Sequence, residues 1–162
     1  MGIPKEILDA AERLGIDITD IILNQLYLKD PSESIRLRLE LARKYLAEAG
    51  EYINKGDAVQ ASGKAYKAAE EAVKALAERF NVPENQQAIK EGSWYTHLLL
   101  KACSRLSKTL GDWVLDGWNV GYSLHVWGFH EAKLTIEDVE PLIERVHRMV
   151  EETAKVLGQA NQ

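Results

Sequence analysis

The sequence predicts an all-α, single-domain antiparallel helical bundle centred on a long helical hairpin, about 31–55 and 57–80. Three observations carry that prediction. Apolar residues recur at steps of three and four from end to end, while strict alternation is almost absent. Capping residues and glycines mark helix ends at short intervals. The stretch INKGD, residues 53–57, is too short a connection for anything but an antiparallel return.

Each element has its own signal. A first helix starts near Pro4 and ends before Gly15, and a second begins after Asp17 with Ile18, Ile21, Ile22 and Leu26. In LKDPSES, Asp30 is placed to cap, Pro31 suits the first helical position and Glu33 completes the start signal. The following helix carries one apolar stripe: Ile35, Leu39, Ala42, Leu46, Ala49 and Ile53. Gly56 closes it, and Asp57 with Gln60 opens the next. Ala61, Ala65, Ala68 and Ala72 line one side there, and such small side chains admit a close partner helix.

Beyond NVPEN, Gly92 and Ser93 divide a short helix from one spanning roughly 94–109. Gly111 and Asp112 repeat the stop-and-cap pattern, and a helix from 113 to about 127 is expected to end at Gly128. Thr135 with Asp138 starts a last helix striped by Ile136, Val139, Leu142, Ile143, Val146 and Val150, and the terminal GQANQ is expected to fray. Residues 1–29 read as an N-terminal helical appendage and 30–158 as the bundle core.

Bulk properties narrow the function. The 162 residues carry a formal net charge of -5, so no global positive field draws the chain to nucleic acid or anionic membrane. Cys103 is the single cysteine, which excludes an intrachain disulfide and a cysteine-based metal cluster. Its setting in LLLKACSRL makes it an expected core thiol. The start MGIPKEILDAAERLG has no signal-peptide pattern and no apolar run is long enough to span a bilayer, so a cytoplasmic protein without membrane association is expected. Phosphate-binding loops, GxSxG and HExxH are absent, and no cofactor is expected.

Candidate chemistry concentrates in WNVGYSLHVWGFHEA, residues 118–132. On a helical wheel Trp118, Tyr122 and His125 share one side, Gly117 and Gly121 a second, and Val120, Leu124 and Trp127 another. The glycine side invites close packing by another helix or a second subunit. His125 and His130, five residues apart, diverge by about 140° on an α-helix, too far to grip one metal, unless Gly128 breaks the helix and brings them together. No metal site is therefore expected. His97, Lys101, Arg105 and Lys108 form a basic stripe one turn beyond Trp94, readable as a phosphate track or as a solvated face. Lys67, Glu70, Glu71, Lys74 and Glu78 offer i, i+4 pairs and read as a salt-bridged surface.

Two blocks, NKGDAVQASGKAYKAAEEAVKALAE at 54–78 and LHVWGFHEA at 124–132, together resemble the archaeal PaREP-type family. The resemblance runs from IPKEILDAAERLGID to the last helix. It implies membership of the wider HEPN-like helical superfamily, whose members are helical bundles, often dimeric. Some are ribonucleases or toxins, and others are partners of nucleotidyltransferases. Ribonuclease members carry an arginine followed by a histidine after four to six intervening residues. No arginine here has a histidine at that distance; Lys90 with His97 comes nearest, and Gly92 interrupts it. Gly63 also stands where the family block usually carries a charged residue.

The resulting expectation is a non-catalytic, homodimeric, HEPN-like binding module for a nucleotide, RNA or a partner protein. Its expected ligand-binding residues are Trp94, His97, Tyr122, His125, Trp127, His130 and Glu131. One competing expectation is a metal-independent endoribonuclease using His97 or His130 with Lys101 or Arg105. The other is a purely structural assembly protein.

Overall fold

The computed structural model describes residues 2–158. Residues 159–162, most of the tail expected to fray, lie outside the described residues. The described residues are helical throughout, with no strand: α1 (Lys5–Arg13), α2 (Ile18–Lys29), α3 (Pro31–Asn54), α4 (Ala58–Arg79), α5 (Pro83–Glu91), α6 (Thr96–Leu110), α7 (Trp113–Ser123), a π-helix (Leu124–His130) and α8 (Ile136–Val156). None of these helices is long and apolar enough to cross a membrane.

The caps act where the sequence places them. The side chains of Asp17, Asp30 and Asp57 accept from the backbone N–H groups of Asp20, Glu33 and Gln60. Thr135 and Asp138 form both bonds of a capping box at α8. Asp112 differs: its side chain makes no cap bond to α7. Gly56 has φ 75°, the left-handed turn needed to fold α3 back along α4.

Helix α4 is the axis of the bundle, packed by α3, α5, α6, α7, the π-helix and α8. Ala61, Ala65, Ala68 and Ala72 are all fully buried, so the neighbouring backbones approach closely. Gly117 and Gly121 serve the same end from α7. A Cβ at Gly117 would lie 2.6 Å from Met149 of α8, and one at Gly121 would lie 2.9 Å from the Ala69 Cβ of α4. The glycine side of α7 is thus filled within the chain.

One expectation is overturned here. Glu71, Lys74 and Glu78 are buried, not a salt-bridged surface. Spaced three and four apart, they share a face of α4 turned toward α3 and α2. Opposite them on α3 stands Arg38, fully buried one turn from the buried Ser34. Its Nε donates to Glu78 Oε2 at 2.8 Å, its Nη1 to Glu71 Oε1 at 2.9 Å and Asp20 Oδ1 at 3.0 Å, and its Nη2 to Asn24 Oδ1 at 3.3 Å. Lys74 Nζ donates to both Asp20 oxygens and to Glu71 Oε2. Ser34 Oγ bonds Glu78 at 2.8 Å. Buried charges persist only when partnered in this way. Burial alone would raise the Asp20 carboxyl, but Lys74 and Arg38 hold it below the usual range. The polar core thereby ties α2 to the hairpin, with Leu23 and Tyr27 buried alongside.

Candidate binding site at the paired histidines

The segment after Ser123 does not continue as an α-helix. It widens into the π-helix, and the Glu131 N–H bonds the Val126 carbonyl five residues back at 2.8 Å. Such turns are rare and concentrate at functional sites. Gly128 does not end the helix; it lets the wide turn lie on α4. A Cβ at Gly128 would collide with the Ser62 hydroxyl and come 2.6 Å from its Cβ. Gly63 faces the Phe129 ring, which a Cβ there would approach to 2.8 Å.

The wide turn changes the histidine geometry. Residues five apart face each other when the helical bond is i→i+5. The Nε2 atoms of His125 and His130 are 3.2 Å apart, and the rings meet edge to face with centroids 4.3 Å apart. The divergence expected for an α-helix is therefore corrected: the pair is brought together, by widening and not by a break.

His125 packs against Tyr66 of α4, which stacks on it with centroids 4.1 Å apart, and the Phe129 ring lies nearly parallel to it with centroids 6.5 Å apart. Burial, and then the neighbouring His130, push the His125 imidazole below its ordinary pKa and favour its neutral form. Tyr122 packs edge-on against Tyr66, and Trp118 closes the cluster from the core.

Two cavities flank this aromatic ridge. One, of about 260 Å³, is lined by Gln60, Gly63, Lys64, Tyr66, Lys67, Glu70, His125 and Phe129. Burial, despite the nearby Lys74 and reinforced by Glu71, pushes the Glu70 carboxyl up to about 7. The other, of about 590 Å³, is lined by Tyr95, Thr96, His97, Leu100, Trp118, Asn119 and Tyr122.

The expected site residues divide accordingly. His125 and His130 meet, while Tyr122 and His97 share the second cavity. Trp127 is 53% exposed, and Glu131 is exposed at the end of the turn. Trp94 is not available for stacking, because it is buried in the core; its neighbour Tyr95 is exposed instead. His97, Lys101, Arg105 and Lys108 all face solvent. The Arg105 guanidinium is held by two hydrogen bonds to Glu84 and is not free for phosphate. Tyr66, Lys64, Lys67 and Phe129 were not expected at the site. Tyr66 lies within an alanine-rich helix whose pattern signals only packing.

No curated protein matches the chain. Among solved structures, it is similar to the crystal structure of a protein from Sulfolobus solfataricus, with 40% identity and a TM-score of 0.66. That match covers 72% of this chain and 95% of the other. A solution structure of the same structural-genomics target is similar at 38% identity and a TM-score of 0.63, over 72% of this chain and 90% of that one. The model of the archaeal PaREP1/PaREP8 family matches residues 37–150, from within α3 to within α8, a span that includes both the buried Arg38 and the paired histidines. The chain belongs to the archaeal PaREP1/PaREP8 family.

Proposed function

We propose that the chain is a non-catalytic, HEPN-like binding module that takes single-stranded RNA or a nucleotide on the aromatic ridge between the two cavities. The observation that carries this reading is the combination of exposed flat rings with donors beside them. Tyr95 and Tyr122, 49% and 41% exposed, share one cavity with His97, while Phe129, 37% exposed, shares the other with His125 and Lys67 and packs against His130; Trp127, 53% exposed, is carried on the same π-helix. Bases stack on aromatic rings with little sequence preference, and nearby cations meet the backbone. Glu131, exposed directly after His130 in the chain, is included as a hydrogen-bond acceptor.

The test is fluorescence anisotropy with a labelled oligoribonucleotide at two salt concentrations. Saturable binding weakened by His125→Ala and by His130→Ala supports the reading. Binding unchanged in both variants removes the site assignment.

Homodimerisation and a cytoplasmic setting belong to the same reading. Ile7, Leu8, Leu14, Ile21, Ile22 and Leu28 expose large apolar surfaces on α1, α2 and the loop between them, which supports self-association. Native mass spectrometry that finds only monomer at micromolar concentration would remove the dimer. The ribonuclease reading is weaker, because Glu84 engages Arg105 and the arginine–histidine spacing is absent.

A further inference from the structure

We infer that His125 and His130 form a bidentate, solvent-facing site for a divalent transition cation of the zinc or nickel class. The inference goes beyond the RNA-binding reading and does not depend on it, since it rests on the geometry of the two imidazoles alone.

Two imidazole nitrogens bound tetrahedrally at about 2.0–2.1 Å from one zinc ion lie roughly 3.3 Å from each other. The Nε2 atoms here are 3.2 Å apart. They are closer than the ring centroids, at 4.3 Å, so the rings meet through their Nε2 ends, which hydrogen-bond to each other until an ion takes that proton's place. Packing restrains the rings before any ion arrives. Tyr66 stacks on His125, and Phe129 meets the His130 ring edge to face at 5.1 Å. Neither Nδ1 makes a side-chain hydrogen bond to another described residue, so each ring is free to carry its proton there and leave the Nε2 lone pair to the metal.

Imidazole suits zinc, nickel and copper, and disfavours magnesium and calcium. Among the described residues, no group of three or more His, Cys, Asp or Glu side chains converges on a common point. The chain therefore supplies two ligands, and the remaining positions fall to water or to an oxygen of a bound ligand. Such a site is open, not structural. The π-helix is what makes the pair possible: i, i+5 spacing gives no shared face on an α-helix.

The test is isothermal titration of the metal-free full chain with Zn²⁺ and with Ni²⁺, alongside the absorption spectrum of Co²⁺. The expected result is one ion per chain, with affinity reduced at least tenfold in His130→Ala and in His125→Gln, and unchanged in the α8 surface variant His147→Ala. His130 is exposed, so its removal leaves the fold intact, and far-ultraviolet circular dichroism checks this for both variants. Absence of saturable binding at millimolar metal would overturn the inference. So would binding that persists undiminished in His130→Ala and His125→Gln. RNA binding is measured separately in metal-free buffer, so failure of one idea is distinguishable from failure of the other.

Discussion

Arg38 of α3 and Glu78 of α4 meet at 2.8 Å with both side chains sealed from solvent, forty residues apart in sequence. The pair anchors a larger group of charges, and each member has a partner. Removing one side would strand the other. Arg38→Met is therefore expected to destabilise the chain by about 3–5 kcal/mol, the cost of leaving a buried charge uncompensated. Urea denaturation followed by circular dichroism measures it. A loss below about 1 kcal/mol would show that water relieves the carboxylates.

Two carboxylates should move stability in opposite directions with pH. The raised pKa of Glu70 means that the folded chain holds this proton more tightly than the unfolded one. Its contribution is full below the ordinary value of 4.5 and is lost as pH rises through about 7. Lys74, Glu71, Asp20 and Asp17 act on it electrostatically, and Lys67 and His125 share its cavity. Asp20, with a lowered pKa, contributes above the ordinary value of 3.8 and loses that contribution as pH falls through its depressed value. Glu70→Gln should raise stability at pH 8 by about 1–2 kcal/mol and leave pH 5 nearly unchanged. Thermal melts at the two pH values check the sign.

Gly128 holds the wide turn against α4. Gly128→Ala puts a methyl group into Ser62, and overpacking of this kind costs about 1–3 kcal/mol. It should also separate the histidines, visible as a change in their imidazole NMR signals. Adding Ser62→Gly makes room for the methyl and should restore the wild-type pairing. Failure of the double variant to do so would place the strain elsewhere.

Trp127 offers a cleaner functional test than the half-buried rings. With more than half its surface exposed, Trp127→Ala should change stability by less than about 0.5 kcal/mol. On the proposed function it should weaken binding of single-stranded RNA by about 1–3 kcal/mol, the worth of one stacked base. Equal affinity in the variant would take Trp127 out of the site.

The helices were legible because their ends are written locally. Asp30, Asp57 and Thr135 bond backbone groups three residues away, so spacing alone reveals them. The apolar stripes of α3 and α8 were equally readable, since Leu39, Ala42, Val139 and Val146 face the core as their periodicity requires. The polar core was not. Lys74, Glu71 and Glu78 look like an exposed charge run until Arg38, Asp20 and Asn24 are known to stand opposite, and those partners come from two other helices. A one-dimensional pattern carries no sign of such pairing.

The candidate site was half legible. Residue density pointed to 118–132, and the two histidines do meet there. A period of 3.6 residues per turn holds the two rings apart, and nothing before Gly128 announces the wider turn that joins them. Trp94 and Tyr95 show the limit of position alone. They are neighbours just before α6, yet one ring is buried and the other exposed.

Cys103 gives the molecule a built-in reporter. Its thiol is fully buried, and burial pushes its pKa up, so the reactive thiolate is scarce in the native state. It sits on α6, surrounded by the core that joins α4 to α6 and α7. A thiol reagent should therefore modify the protein only when that core opens, and a single thiol makes the kinetics those of one event. Labelling rates across temperature would then time the opening of the bundle itself, with no dye or tag introduced.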